Sequence, residues 1–143
     1  CSSDLGVAGK GFAFQSSSDT DDRSFTIASG ATFEVDNNIT FSYDCGVSTD
    51  NLVMTDRSST LKLNGGILAH TGSNAGGDAS SLVLTNGTLV VDHKATMKAT
   101  KHANSEIQIG NGTYANDLHI EIMPGASLNI TDGILSYNNA ESE

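Results

Sequence analysis

The sequence predicts an all-β protein: a short β-solenoid, or parallel β-helix, of about four three-strand coils. Three observations point there. Apolar-x-apolar runs recur about every 28 residues, the self-similarity expected of stacked units. Short clusters of Gly, Asn, Asp and Ser separate these runs and supply turn conformations without bulk. No stretch has the apolar period of an amphipathic helix, and the 143 residues include 15 Gly but a single Pro.

Taken along the chain, GFAFQ at 11–15 is the last strand of an incomplete first unit, with Leu5 and Val7 in its middle strand. The polar run at 16–23 is a loop. Phe25/Ile27 and Phe33/Val35 follow as strands, joined through Ser29, Gly30 and Ala31. Leu52/Met54, Leu61/Leu63 and Ile67 repeat that order, as do Leu82/Leu84, Leu89/Val91 and the Ala95–Met97–Ala99 run. Ile120/Ile122, Leu128/Ile130 and Ile134 make the last copy. Phe33, Leu61 and Leu89 are evenly spaced, whereas Leu128 lies well beyond the next step from Leu89. The excess assigns 106–116 to an insertion of one extra strand and a loop.

A coil with one apolar side cannot bury that side alone, so stacking is the expected solution. The inward ladders are then Phe33–Leu61–Leu89–Leu128 and Val35–Leu63–Val91–Ile130. Glu34, Lys62, Val90 and Asn129 alternate outward, Val90 being the misfit. The chain divides as one domain over 1–143: an N-terminal tail and partial coil at 1–23, then repeats at 24–50, 51–80, 81–116 and 117–139. An antiparallel β-sandwich or a two-layer β-arch stack would use similar strands, but a sandwich has no reason to keep the regular repeat.

GASLNITDGILSYNN and STLKLNGGILAHTG resemble the coils of right-handed β-helix proteins, a group that includes pectin-lyase-like surface proteins and autotransporter passenger domains. The resemblance spans most of the chain and is architectural. It implies a fold far more than a function. Enzymes of that group attack acidic polysaccharides with clustered Asp residues, often with Ca²⁺ and a Lys or Arg.

Composition excludes several classes. Seventeen Asp+Glu against seven Lys+Arg give a net charge of −10, the wrong sign for a nucleic-acid partner. No run approaches the ~20 apolar residues of a membrane span. With only Arg23 and Arg57 as arginines, an anionic substrate finds little to pair with. His70, His93, His102 and His119 show no metal-binding spacing, and His70 and His119 are expected outward on strands. No GxSxG elbow or phosphate loop occurs, so no catalytic residue and no cofactor is expected, and the chain reads as a non-enzyme.

Asp19, Asp21 and Asp22 form the densest carboxylate group and the one candidate for a structural Ca²⁺. A solvated loop accounts for the same residues, and the glycine and distal glutamate of an EF-hand are missing. Cys1 and Cys45 leave three readings open. Cys1 before Ser2 and Ser3 resembles the lipid-bearing first residue of a mature bacterial lipoprotein; alternatively Cys1 pairs with Cys45 within or between chains, or both thiols are unpaired. Either of the first two puts the protein outside the cytosol. The four Asn-x-Thr sequons, at Asn38, Asn86, Asn111 and Asn129, are explained as turns.

The functional expectation is an extracellular structural protein that self-assembles, through strand addition at the coil ends, into a filament, sheath or surface layer. The alternatives are a cell-surface adhesin holding glycans, with Tyr43, Tyr114 and Tyr137 as aromatic candidates, and a fragment of a phage fibre.

Overall fold

The computed structural model describes residues 11–15, 24–44, 51–72, 81–100, 104–111 and 117–137. Every regular element among them is a strand. In chain order these are β1 (Gly11–Gln15), β2 (Ser24–Ile27), β3 (Thr32–Asp36), β4 (Thr40–Asp44), β5 (Asn51–Met54), β6 (Thr60–Asn64) and β7 (Ile67–His70). The chain continues through β8 (Ser81–Leu84), β9 (Asn86–Asp92), β10 (Lys94–Ala99), β11 (Glu106–Ile109), β12 (Asp117–Ile122), β13 (Ser127–Ile130) and β14 (Ile134–Tyr137).

Every third strand falls on the same face. The first face has the order β1-β4-β7-β10-β13. The second consists of β2-β5 and β8-β11-β14, with β5 packed against β8. The third has the order β12-β9-β6-β3. All pairings between these strands are parallel. The chain is a parallel β-solenoid, and the regular step of the sequence survives as strand register: Phe33 opposes Leu61, and Leu61 opposes Leu89.

Alternation explains the core. On β6 and β9, Leu61, Leu63, Leu89 and Val91 point inward and are buried, while Lys62 and Val90 are half-buried on the outer side. Complete removal of one such Leu from water stabilises by roughly 1.5–3 kcal/mol. Stacked identical positions multiply that gain along a column. The first face carries its own inward columns: Phe12–Phe41–Leu68–Met97–Ile130, and beside it Phe14–Tyr43–His70–Ala99.

The last coil departs from the expected register. The strand above Leu89 and Val91 is β12, which places Ile120 and Ile122 there. Leu128 and Ile130 belong to the first face, above Ala95 and Met97. Residues 106–109 are no insertion either: β11 sits between β8 and β14, with Ile107 between Leu82 and Leu135. The spacing misled because the loop before β12 lengthens one step. The stretch from Leu89 to Ile120 is longer than that from Leu61 to Leu89, and the stretch from Leu82 to Ile107 is shorter.

His70 also departs from expectation. It is 0% exposed at an inward position, its Nδ1 lying 3.2 Å from the Tyr43 carbonyl oxygen. The outward phase assumed that Ile67 pointed in; instead Leu68 and His70 do, and Ile67 is half-buried at the corner.

Two glycines are required by close approach. Gly66 turns the chain against β3, where a Cβ would collide with the Val35 carbonyl oxygen. Gly87 has a φ of +95°, and a Cβ there would meet Met54 Cβ at 2.5 Å. Any side chain at either position would have to displace packed atoms.

Candidate functional site

The two ends of the stack differ in chemistry. At the N-terminal end all five phenylalanines gather, one each from β1, β2, β3 and β4 plus a second from β1. Phe25 stands at their centre, with ring centroids 4.9 Å from Phe33, 5.2 Å from Phe41, 5.7 Å from Phe14 and 5.8 Å from Phe12. The contacts to Phe33 and Phe14 are edge-on, the arrangement that brings positive ring edges to negative faces. Phe12 stacks on Phe41, and Phe14 on Tyr43.

The C-terminal end is aliphatic and open. Its strands β12, β13 and β14 continue the inward columns, yet Ile120 is 42% and Ile122 54% exposed. Ile130, Ile134 and Leu135 are exposed with them, and Tyr137 is 74% exposed. All but Ile134, which opposes the outward Glu106, are column residues with nothing described above them. Among the described residues no strand pairs with the outer edges of these three strands.

A second feature runs along the corner between the third and first faces. Each coil turns there on a residue of positive φ: Asn38 (63°), Gly65 (72°), His93 (56°) and Gly125 (79°). Asp36, Asn64 and Asp92 stack immediately before the turns. Asn64 Nδ2 donates to Glu34 Oε1 (2.8 Å) and to Asp36 Oδ1 (3.2 Å), and Lys62 Nζ lies 3.6 Å from Glu34 and 3.8 Å from Asp92. His93 Nδ1 is 3.1 Å from Asp92 Oδ1. Beside this ladder a groove of about 610 Å³ is lined by Asp36, Asn37, Asn64, Gly65, His93, Lys94 and Gly125. Asn amides, carboxylates and an imidazole at fixed inter-strand spacing can hydrogen-bond a polyhydroxylated ligand.

The corner between β5 and β6 is a polar brace. Ser59 Oγ accepts from the Thr55 amide (3.1 Å), Ser58 Oγ from the Gly30 amide (2.9 Å), and Asp56 Oδ1 from the Ser58 amide (2.8 Å). Hydrogen bonds from the Ser29 and Ser58 hydroxyls, and then from the Ser58 and Ser59 amides, hold the Asp56 carboxyl below its ordinary pKa against a small opposing effect of burial. Arg57 reaches past β9 to the last coil, Nη1 lying 3.1 Å from Asp117 Oδ1 and Nη2 3.2 Å from His119 Nδ1.

Of the residues singled out from sequence, Cys1, Cys45, Asp19, Asp21 and Asp22 lie outside the described residues, as do His102 and Tyr114. His93, at a corner, and His119, within β12, are both exposed. Tyr43 and Tyr137 form no ladder, since Tyr43 is buried on the first face and Tyr137 exposed on the second. Among the described residues no three His, Cys, Asp or Glu side chains are grouped to hold a metal ion. Sequence reading missed the corner groove and misplaced the strands of the aliphatic end. A short step from Leu82 to Ile107, followed by an ordinary one from Ile107 to Leu135, held the signal for the latter. Comparison with models of protein families, with curated proteins and with solved structures finds no match to this chain.

Proposed function

We propose that this chain is an extracellular structural protein that self-assembles end to end into a filament, sheath or surface layer. One observation carries the reading: the inward columns stop at the C-terminal end with Ile120 and Ile122 half exposed, beside three free strand edges. Parallel β-edges of this kind are templates for strand addition, and a contact that joins unlike ends without closing generates an open filament. The likeness to pectin-lyase-like and autotransporter proteins rests on solenoid architecture alone. The extracellular assignment rests on a pairing of Cys1 with Cys45. Sedimentation velocity across a concentration series, with electron microscopy of the same samples, tests the proposal. Concentration-dependent linear particles are expected, and a monomer at every concentration would overturn it.

A second reading is favoured by the corner groove: a surface adhesin that holds a neutral glycan against Asn37, Asn64 and His93. Titration with oligosaccharides, followed by amide NMR, would move the signals of these residues; unmoved spectra at millimolar sugar would sink it.

A further inference from the structure

We infer that the C-terminal rim is the seat for the N-terminal end of a second copy of this chain, whose β1 pairs parallel with β13 and whose β2 pairs parallel with β14. The inference rests on the self-assembly reading and specifies its joint.

Strand direction comes first. The first face ends in β1 at one extreme and β13 at the other, and the second face in β2 and β14. Every strand pairing within the molecule is parallel. A copy displaced along the stack therefore offers each free edge a partner of the same direction and the same hydrogen-bond spacing. A copy turned end over end would offer antiparallel edges instead.

The columns then set the register. Ile130 closes the column that Phe12 opens, and Leu135 closes the second-face column on the side where Phe25 opens it. Seating the copy so that both columns continue puts its Phe12 over Ile130 and its Phe25 over Leu135. Phe12 and Phe25 are only half-buried in one copy, and Ile130 and Leu135 are exposed. Each end supplies what the other lacks.

The third face does not close in the same step. In chain order β3 follows β2, so β3 of the incoming copy comes to rest one strand above the place over β12. The joint is therefore made on the first and second faces, and β12 keeps its free edge.

Charge opposes the joint. Asp117, Glu121 and Asp132 lie at the rim, and Glu34 lies on β3 at the other end. Assembly therefore strengthens with salt, which screens like charges over about 10 Å at 0.1 M.

Covalent trapping tests the register. With Phe25 over Leu135, Thr26 of one copy stands beside Ser136 of the other on the outer side, at the ~4.8 Å of neighbouring strands, within reach of a disulfide. Inside one copy the two lie on strands four steps apart, roughly 19 Å, which no disulfide spans. In a Cys1→Ser, Cys45→Ser background, Thr26→Cys with Ser136→Cys is expected to give, on mild oxidation, a reducible ladder extending past dimer. Each single variant should give at most a trace of dimer. Efficient dimers from Ser136→Cys alone would overturn the inference in favour of like-end pairing. Light scattering of the same background without the added cysteines separates the two failures. Assembly without cross-links rejects this joint and leaves self-assembly standing; a monomer rejects self-assembly itself.

Discussion

Replacing Phe25 probes the N-terminal end most directly. Its ring touches four others at 4.9–5.8 Å, two of them edge-on. Truncating a fully buried Phe to Ala costs about 3–5 kcal/mol. Phe25 is half-buried, so Phe25→Ala should cost about 3 kcal/mol. Phe25→Leu keeps most of the apolar area but loses the edge-to-face geometry, worth about 0.5–1.5 kcal/mol per pair and not additive across four neighbours. Its cost should be about 1–2 kcal/mol. Urea unfolding followed by far-UV circular dichroism reads both. In a stack where each coil touches only its neighbours, the loss should also appear first as local opening of the N-terminal coil. Amide exchange should then accelerate on β1 to β4 before it does on β9 and β10. A cost for Phe25→Ala below about 1 kcal/mol would refute the reasoning, since a half-buried ring cannot be removed so cheaply if the cluster is packed as described. Equal costs for the Ala and Leu variants would refute the part assigned to ring geometry.

Gly87→Ala combines a φ of +95° with a Cβ 2.5 Å from Met54 Cβ, and should destabilise by about 3 kcal/mol in the same urea assay. Arg57→Ala removes contacts to Asp117 and His119 whose ion pair is more than half exposed, so the loss should stay under about 1 kcal/mol and shrink in 1 M salt. Asp56 is held ionised in the fold, so its stabilisation is complete above the ordinary carboxylate range and disappears as pH falls through its lowered pKa. Asp56→Asn should therefore be less stable than the parent at neutral pH, and thermal melts of the two should converge on acidification; a constant gap would reject the role given to the Ser29 and Ser58 hydroxyls.

The solenoid was legible because stacking makes sequence periodic: Phe33, Leu61 and Leu89 fall on one column because equal lengths of chain separate them. The same regularity concealed the last coil. Leu128 resembles Leu89 locally, within GASLNIT and NGTLVVD, and local pattern does not say which face a strand joins. Only the hydrogen-bonded partner does, and the loop before β12 had shifted the count. His70 was hidden for a related reason: period-two alternation gives two phases, and ILAH has an apolar residue in each. The corner groove was invisible for another reason. Asp36, Asn64 and His93 are far apart along the chain and converge only once the coils stack. The expected cysteine and carboxylate sites lie outside the described residues, so the legible part of the chain is its scaffold.

The three corners are not equivalent in chain length. From the third face to the first, Asp36 is followed by Thr40, Asn64 by Ile67, Asp92 by Lys94 and Ile122 by Ser127, so that edge stays short in every coil. From the first face to the second, Gln15 leads to Ser24, Asp44 to Asn51, His70 to Ser81 and Ala99 to Glu106, and only in the last coil is the step short, from Ile130 to Ile134. The tight edge fixes the pitch, while the long edge has already accepted changes of several residues with the ladder phase kept. Loop closure grows only logarithmically with length, so peptides grafted there should cost little. Displayed on successive coils, they would form a row with a rung about every 4.8 Å, turning one edge of the protein into a regularly spaced comb.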